Sequence, residues 1–475
     1  MKKTTRLRLL LTAAIALLVS VLLASCGSAT SPANRPLEPA ATAGPAVQEN
    51  VYLGKSQVVY QLDGRNGGVI WKQALTRSAP LDPRAASHFG LHVVDGVLYA
   101  FLDHDVYAFT ASSGHAIWHR HIVAVGSLTT EDLRIYDEII DNGVIYLEHA
   151  NGSISAWSAR DGTELWHDYR IQANFFVVAH GAVYARVYSE ADQHNTLYAF
   201  DGATGHPRWH FPEPEYSAGG TVIAADGVVY DAGGSLYALN EQSGQLLWRQ
   251  GLPYEDQFFV SPQVSNGVLY ASTAGIFPAV GGGPQPDESD YFHVYAFHAR
   301  TGRQLWRSGP GYRQVEGIAL TGQAIIAIRN SADQTDTLSA FDAQHGDTRW
   351  NISVADLCAA GVCDTPWIDL AGTTLYVVDG EGSQQVEAFD VNTGKRVFAH
   401  ALSFTLTALF DHGGVSNGTA YVLMGTGWTS TTGTPWTGQR IVEAFSLSDG
   451  AQTWQFNPGA LKGYQDGVSQ LVLAV

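Results

Sequence analysis

The sequence predicts an all-β fold: a propeller of four-stranded antiparallel blades, eight or nine in number, closed by pairing of its N- and C-terminal strands. Three observations predict it. One phrase recurs along the chain, as in "VYAFTASSGHAIW" from Val106, "LYAFDGATGHPRW" from Leu197, "LYALNEQSGQLLW" from Leu236 and "VYAFHARTGRQLW" from Val294. A second hairpin signal stands upstream of most copies. The two chain ends read as parts of one further sheet.

Aligned on its glycine, the phrase occurs nine times, at 67, 114, 162, 205, 244, 302, 346, 394 and 450, with spacings of 39 to 58 residues. Such a period suits propeller blades. Upstream, Asp95-Gly96, Asn142-Gly143, His180-Gly181, Asp226-Gly227, Asn266-Gly267 and Asn417-Gly418 are flanked by apolar runs. Asx-Gly between such runs is a tight hairpin, so strands A and B are joined there. Strand C then ends on a large apolar residue and, in most copies, a short polar one such as Asp63, Asp201 or Asn240. The polar side chain bonds local amides and the glycine supplies φ > 0, turning the chain into strand D. Pro207 in strand D of the fourth copy lacks an amide donor, which places D at a sheet edge.

Strand D carries an aromatic residue four positions after each glycine: Trp71, Trp118, Trp166, Trp209, Trp248, Trp306, Trp350, Phe398 and Trp454. These are expected to be wedges between adjacent blades, together with the apolar residues just before several of them (Ile70, Ile117, Leu165, Leu247 and Leu305). Radial stacking covers both faces of each sheet and leaves only short edges. The first copy begins at strand B, "NVYLG", and the chain ends in "GVSQLVLAV", an A strand without a sequel. Joined in space, these close the ring.

Residues 1–25 read as a signal peptide, with Lys2, Lys3, Arg6 and Arg8 before an apolar run from Leu9 to Leu23. Leu23-Ala24-Ser25-Cys26 resembles the lipobox of bacterial lipoproteins, which implies acylation of Cys26. An ordinary secretory signal or an uncleaved anchor are the competing readings, and the run is short for a spanning helix. Residues 26–50, rich in Pro, Ala, Gly and Ser, are expected to be a disordered tether, and 51–475 the propeller. The formal charge is −18. Such a surface repels phosphate backbones, which argues against nucleic acid as a partner, and leaves the lipid as the membrane contact. An exported chain meets an oxidising compartment, so Cys358 and Cys363 are expected to form a short loop disulfide, free thiols being the alternative.

"LYAFDGATGHPRW" and its relatives resemble the PQQ-type propeller repeat, over nearly all of the chain from Val51 onward. That family includes quinoprotein dehydrogenases and lipid-anchored scaffolds of the outer-membrane β-barrel assembly machinery. The resemblance implies fold more than activity. The dehydrogenases carry an adjacent Cys-Cys disulfide, Glu and Asn ligands to Ca²⁺, and a catalytic Asp. This chain has no Cys-Cys pair and no haem-attachment motif, so no catalytic residue is carried over and neither PQQ nor Ca²⁺ is expected.

His115, His119 and His121 in "HAIWHRHI" could hold a transition metal, but exposed strand histidines are far commoner. No metal site is assigned. Binding falls instead to enlarged connections: B-to-C at 274–292 and 425–440, and D-to-A at 76–90 and 351–366. In a four-stranded meander these emerge on one face. Phe277, Tyr291, Trp428 and Trp436 are surplus to inter-blade packing and are the candidate binding residues. The expectation is a non-catalytic, lipid-anchored extracytoplasmic platform for envelope or surface proteins. A PQQ-dependent oxidoreductase and a carbohydrate- or ligand-binding sensor are the alternatives.

Overall fold

A computed structural model describes residues 50–474 outside 56, 79–86, 124–125, 127, 170, 190–193, 214–220, 254–256, 276–292, 310–313, 322–323, 331–335, 354–366, 372, 380–384, 402–409, 417, 427–438 and 460–468. Nine four-stranded antiparallel sheets form a nine-bladed propeller. The nine copies therefore make nine blades, one more than propellers usually have. In blade 2 the strands from the centre outward are A (Phe89–Val94), B (Val97–Leu102), C (Asp105–Thr110) and D (Ala116–His121). The other blades repeat this order. The A strands of successive blades touch around the ring, so A is innermost and D is the outer edge. Pro207 opens strand D of blade 4, at that edge.

Blade 1 is built from both chain ends. Ser469–Ala474 supplies its A strand and pairs antiparallel with Asn50–Lys55, from Asn50 opposite Ala474 to Lys55 opposite Ser469. Pairing starts at Asn50, one residue earlier than the sequence suggests.

The turns follow from residue type. Asp95, Asn142, His180, Asp226 and Asn266 have φ between 48° and 52°, and the glycine after each is also positive. Two successive positive φ values make the type I′ turn that matches strand twist. At the C–D turn, the glycine N–H donates to the carbonyl four residues earlier in every blade, as Gly205 does to Asp201 at 2.8 Å. Asp201 and Asp390 Oδ1 also accept the amides of Thr204 (3.0 Å) and Thr393 (2.8 Å).

The C–D pairing carries a bulge at the same place in all nine sheets, between the alanine (Gln61 in blade 1) and the large apolar residue that follows. Just before the bulge the alanine lies opposite the aromatic of strand D, as Ala238 lies opposite Trp248. A small side chain there leaves the indole free to lean onto the next blade. The core is accordingly a series of seams. The cluster around Trp248 joins Tyr230 and Ala238 of blade 5 to Phe259, Leu269 and Phe297 of blade 6. The cluster around Trp454 joins blade 9 to Val51, Leu53 and Leu62 of blade 1.

Candidate functional site

The recurring glycine and tryptophan meet across each seam. Each of the eight indole N–H groups donates to a carbonyl of the following blade: Trp71 to Ala111 (2.9 Å), Trp118 to Ala159 (3.1 Å), Trp166 to Gly202 (2.8 Å), Trp209 to Glu241 (2.9 Å), Trp248 to Ala299 (2.9 Å), Trp306 to Ala343 (3.1 Å), Trp350 to Val391 (2.7 Å) and Trp454 to Gly64 (2.6 Å). Phe398 has no such donor. The ring also lies on the next glycine: a β-carbon on Gly302 would stand 2.6 Å from Trp248, and one on Gly205 2.6 Å from Trp166. Glycine is thus required twice, for its φ near +68° and for the space its missing side chain leaves. Strand B adds a tyrosine that sequence reasoning missed. Tyr99, Tyr230 and Tyr270 donate to the same carbonyls as Trp118, Trp248 and Trp306 (3.0, 3.2 and 3.1 Å). The recurring "V-x-Y" after the Asx-Gly turn was the available signal. One expectation is corrected: Ile70, Ile117, Leu165, Leu247 and Leu305 are exposed, because alternation along strand D turns them away from the seam the indole fills.

The enlarged connections rise from tied bases. Arg77 Nε and Ser78 N donate to Asp103 Oδ2 (2.6 Å) and Asp105 Oδ2 (2.8 Å), and the amide of His88 donates to Asp103 Oδ1 (2.8 Å). Both ends of the 76–90 connection are therefore held by the B–C turn of blade 2, which places D-to-A and B-to-C connections on one face. His104 of that turn bonds the Thr130 carbonyl of the next D-to-A connection at 2.9 Å. In blade 6, Thr273 and His293 bracket the 276–292 insertion, with Thr273 N donating to His293 O at 3.0 Å. In blade 9, Gly425 and Thr426 pair with Arg440 and Gln439. Cys26, Phe277, Tyr291, Cys358, Cys363, Trp428 and Trp436 lie outside the described residues.

His119 and His121 share a strand face, and both approach Asp105 Oδ1, at 2.7 and 3.4 Å. His119 stacks on Tyr107 with ring centroids 4.1 Å apart. His115 is exposed just after the C–D turn, before strand D. Among the described residues no group of three or more His, Cys, Asp and Glu is arranged to hold a metal ion. They do not fit a quinone with its Ca²⁺, and no step is derived through one.

The most perturbed side chains lie in the inner wall of blades 2 to 4. Glu138, on strand A of blade 3 (Ile135–Asp141), reaches across to blade 2, where His88 Nε2, just before strand A, and His92 Nε2, on it, hold its two oxygens, the latter at 3.1 Å. Gly90 lies between the two histidines, and a β-carbon there would be 1.8 Å from Glu138 Oε1. Burial pushes the Glu138 carboxyl up, but His88 and then His92 outweigh it and bring it to about 2. Burial likewise opposes charge on His88, and Glu138 overcomes this and holds the ring above its ordinary value. On the other face of the strand, burial and then Glu138 raise Asp137 to about 6, while burial and then Asp137 raise Glu148 to about 8. Groups driven so far apart within one wall are what acid–base and binding sites use.

Comparison with known proteins bears on the repeats that make the ring. The family model described as outer membrane protein assembly factor BamB matches residues 55–210, 193–276 and 290–457. The chain is 29% identical over 196 residues to the outer membrane protein assembly factor BamB of Legionella pneumophila (strain Paris), covering 40% of this chain and 48% of that protein, under half its length. It is 25% identical over 355 residues to a tetrathionate hydrolase of Acidithiobacillus ferrooxidans, covering 66% of each. Among solved structures, BamB from Moraxella catarrhalis superposes with a TM-score of 0.48 at 16% identity, covering 78% of this chain and 94% of that one.

Proposed function

This chain belongs to the outer membrane protein assembly factor BamB family, and from that premise we propose that it is a non-catalytic, lipid-anchored scaffold of the cell envelope that binds other envelope proteins. The observation that carries the reading is the family match across most of the ring. The tied loop bases support it, since recognition usually resides in loops held by a rigid scaffold. The partners are proposed to be outer-membrane assembly proteins, engaged through the connections 276–292 and 427–438, with Cys26 as the anchor.

The test compares the full chain, a 427–438 deletion and Cys26→Ala by crosslinking in intact envelopes. The scaffold reading expects a discrete crosslinked envelope protein that the deletion loses, and release of Cys26→Ala from membranes. Unchanged crosslinking in the deletion overturns the role of that loop. A second reading, a hydrolase, is favoured by the tetrathionate hydrolase match over two thirds of both chains. Turnover of tetrathionate by the purified chain, or dye reduction with added PQQ and Ca²⁺, would replace the scaffold with an enzyme.

A further inference from the structure

Strand A of blade 3 is bulged: Ile135 pairs with His149 and Asp137 with Glu148, leaving Tyr136 as the extra residue. Bulges re-aim side chains and cluster near functional sites. This one sets the Asp137 and Glu148 carboxyls on the same face, an arrangement of like charges that ordinarily destabilises a sheet. Glu148 is only 5% exposed and has no hydrogen-bond partner among the described residues. Asp137 accepts the amide of Glu138 at 2.8 Å. Asp137 is open to solvent and Tyr136 is 47% exposed, yet burial dominates the rise of the Asp137 carboxyl. Tyr136 and Asp137 thus flank the buried Glu148 carboxyl from the solvent side.

The nearby cations are engaged elsewhere. His88 and His92 hold Glu138 on the opposite face, and Arg134 Nε bonds Glu131 at 2.6 Å. Strand A of blade 4 (Ala173–Ala179, ANFFVVA) and strand C of blade 3 (Ile154–Ser158, ISAWS) bring no titratable side chain. The next seam shows what such a place accepts. Two residues after the strand-B tyrosine, where blade 3 has Glu148, blade 4 has Arg186, whose guanidinium binds Glu213 at 3.0 Å and Asp231 of blade 5.

We propose that the cluster of Tyr136, Asp137 and Glu148 is a binding site for a basic side chain, Arg or Lys, presented by a partner polypeptide. Asp137 supplies the carboxylate at the entrance, the Tyr136 ring a face for the cation, and Glu148 a buried carboxyl that gives up its proton to solvent as the cation enters. The site is separate from the loop-borne surface, so either can fail alone.

The experiment titrates the full chain at neutral pH with Nα-acetyl-arginine amide by calorimetry, in two buffers of different ionisation enthalpy. Expected are saturable binding in the millimolar range, about −4 kcal/mol for one side chain, and release of up to one proton. Glu148→Gln and Asp137→Asn each weaken it at least tenfold, and the exposed Tyr136→Ala weakens it without threatening the fold. Deleting 427–438 changes nothing. Absence of saturable heat, binding indifferent to Glu148→Gln, or tighter binding of Ca²⁺ or Mg²⁺ at the same residues would overturn the proposal.

Discussion

Two neighbouring seams, between blades 3 and 4 and between blades 4 and 5, share one architecture and differ in their chemistry. Both carry the same clasp, Trp166 on Gly205 and Trp209 on Gly244, with indole bonds of 2.8 and 2.9 Å. Nearer the channel they part. Blades 4 and 5 bury Arg186 between Glu213 and Asp231, each at most 4% exposed. Blades 3 and 4 bury Glu148 opposite the exposed Asp137, and no ion pair joins either carboxyl to a cation among the described residues. The lesson is that the repeat specifies the outer half of a seam, while the inner half is free to vary in charge. A buried ion pair adds little net stability, but breaking it leaves an uncompensated charge.

The comparison can be broken first at Arg186. Arg186→Met should cost about 3–5 kcal/mol in denaturant unfolding, because Glu213 and Asp231 lose their cation inside the protein; a near-neutral result would mean the two acids protonate together at little cost. Next, Gly205→Ala and Gly244→Ala should each cost roughly 2–4 kcal/mol, the sum of a left-handed backbone and an overpacked indole. The two should match, since φ is +69° and +68° and the intruding β-carbon would lie 2.6 and 2.7 Å from the ring. Unequal losses would show that the inner charges reach the clasp.

The smallest effect is on pH dependence. Asp137 and Glu148 have folded values of about 6 and about 8, above those of free carboxyls, so the native state holds more protons than the unfolded one. Stability should therefore fall as pH rises from about 4 through 6 and 8. His88, raised by Glu138, acts in the same sense, its contribution being complete below its ordinary value and lost as pH climbs through the raised one. Glu138, lowered to about 2, contributes above its free value and loses that contribution only in strong acid. Glu148→Gln should flatten the alkaline limb of a melting-temperature profile, whereas Trp166→Phe should shift the whole profile without changing its shape.

Much of the fold was legible because its signals are local. Asx-Gly turns, the alternation into "AF" and the glycine four residues before Trp each act within a dozen residues. Closure followed by matching the two chain ends, and repetition narrowed the blades to eight or nine, of which the sheets show nine. The partner of each indole was less visible, since the carbonyl it binds belongs to the next blade, some forty residues on or, for Trp454, at the other end of the chain. The apolar neighbours of Trp lie outside the seam, because the 2-residue period of the outer strand turns them to solvent.

The candidate site was hardest to foresee. Glu138, Gly90 and His92 are ordinary strand residues until register and ring curvature bring blades 2 and 3 together. By itself the sequence determined a ring of hairpin-rich four-stranded sheets, eight or nine of them, with an aromatic wedge on each outer strand, since turn chemistry and periodic packing are set by near neighbours. Only the tertiary structure decided which side chains share a seam, because facing blades are distant in sequence and one bulged residue changes which face a carboxylate takes.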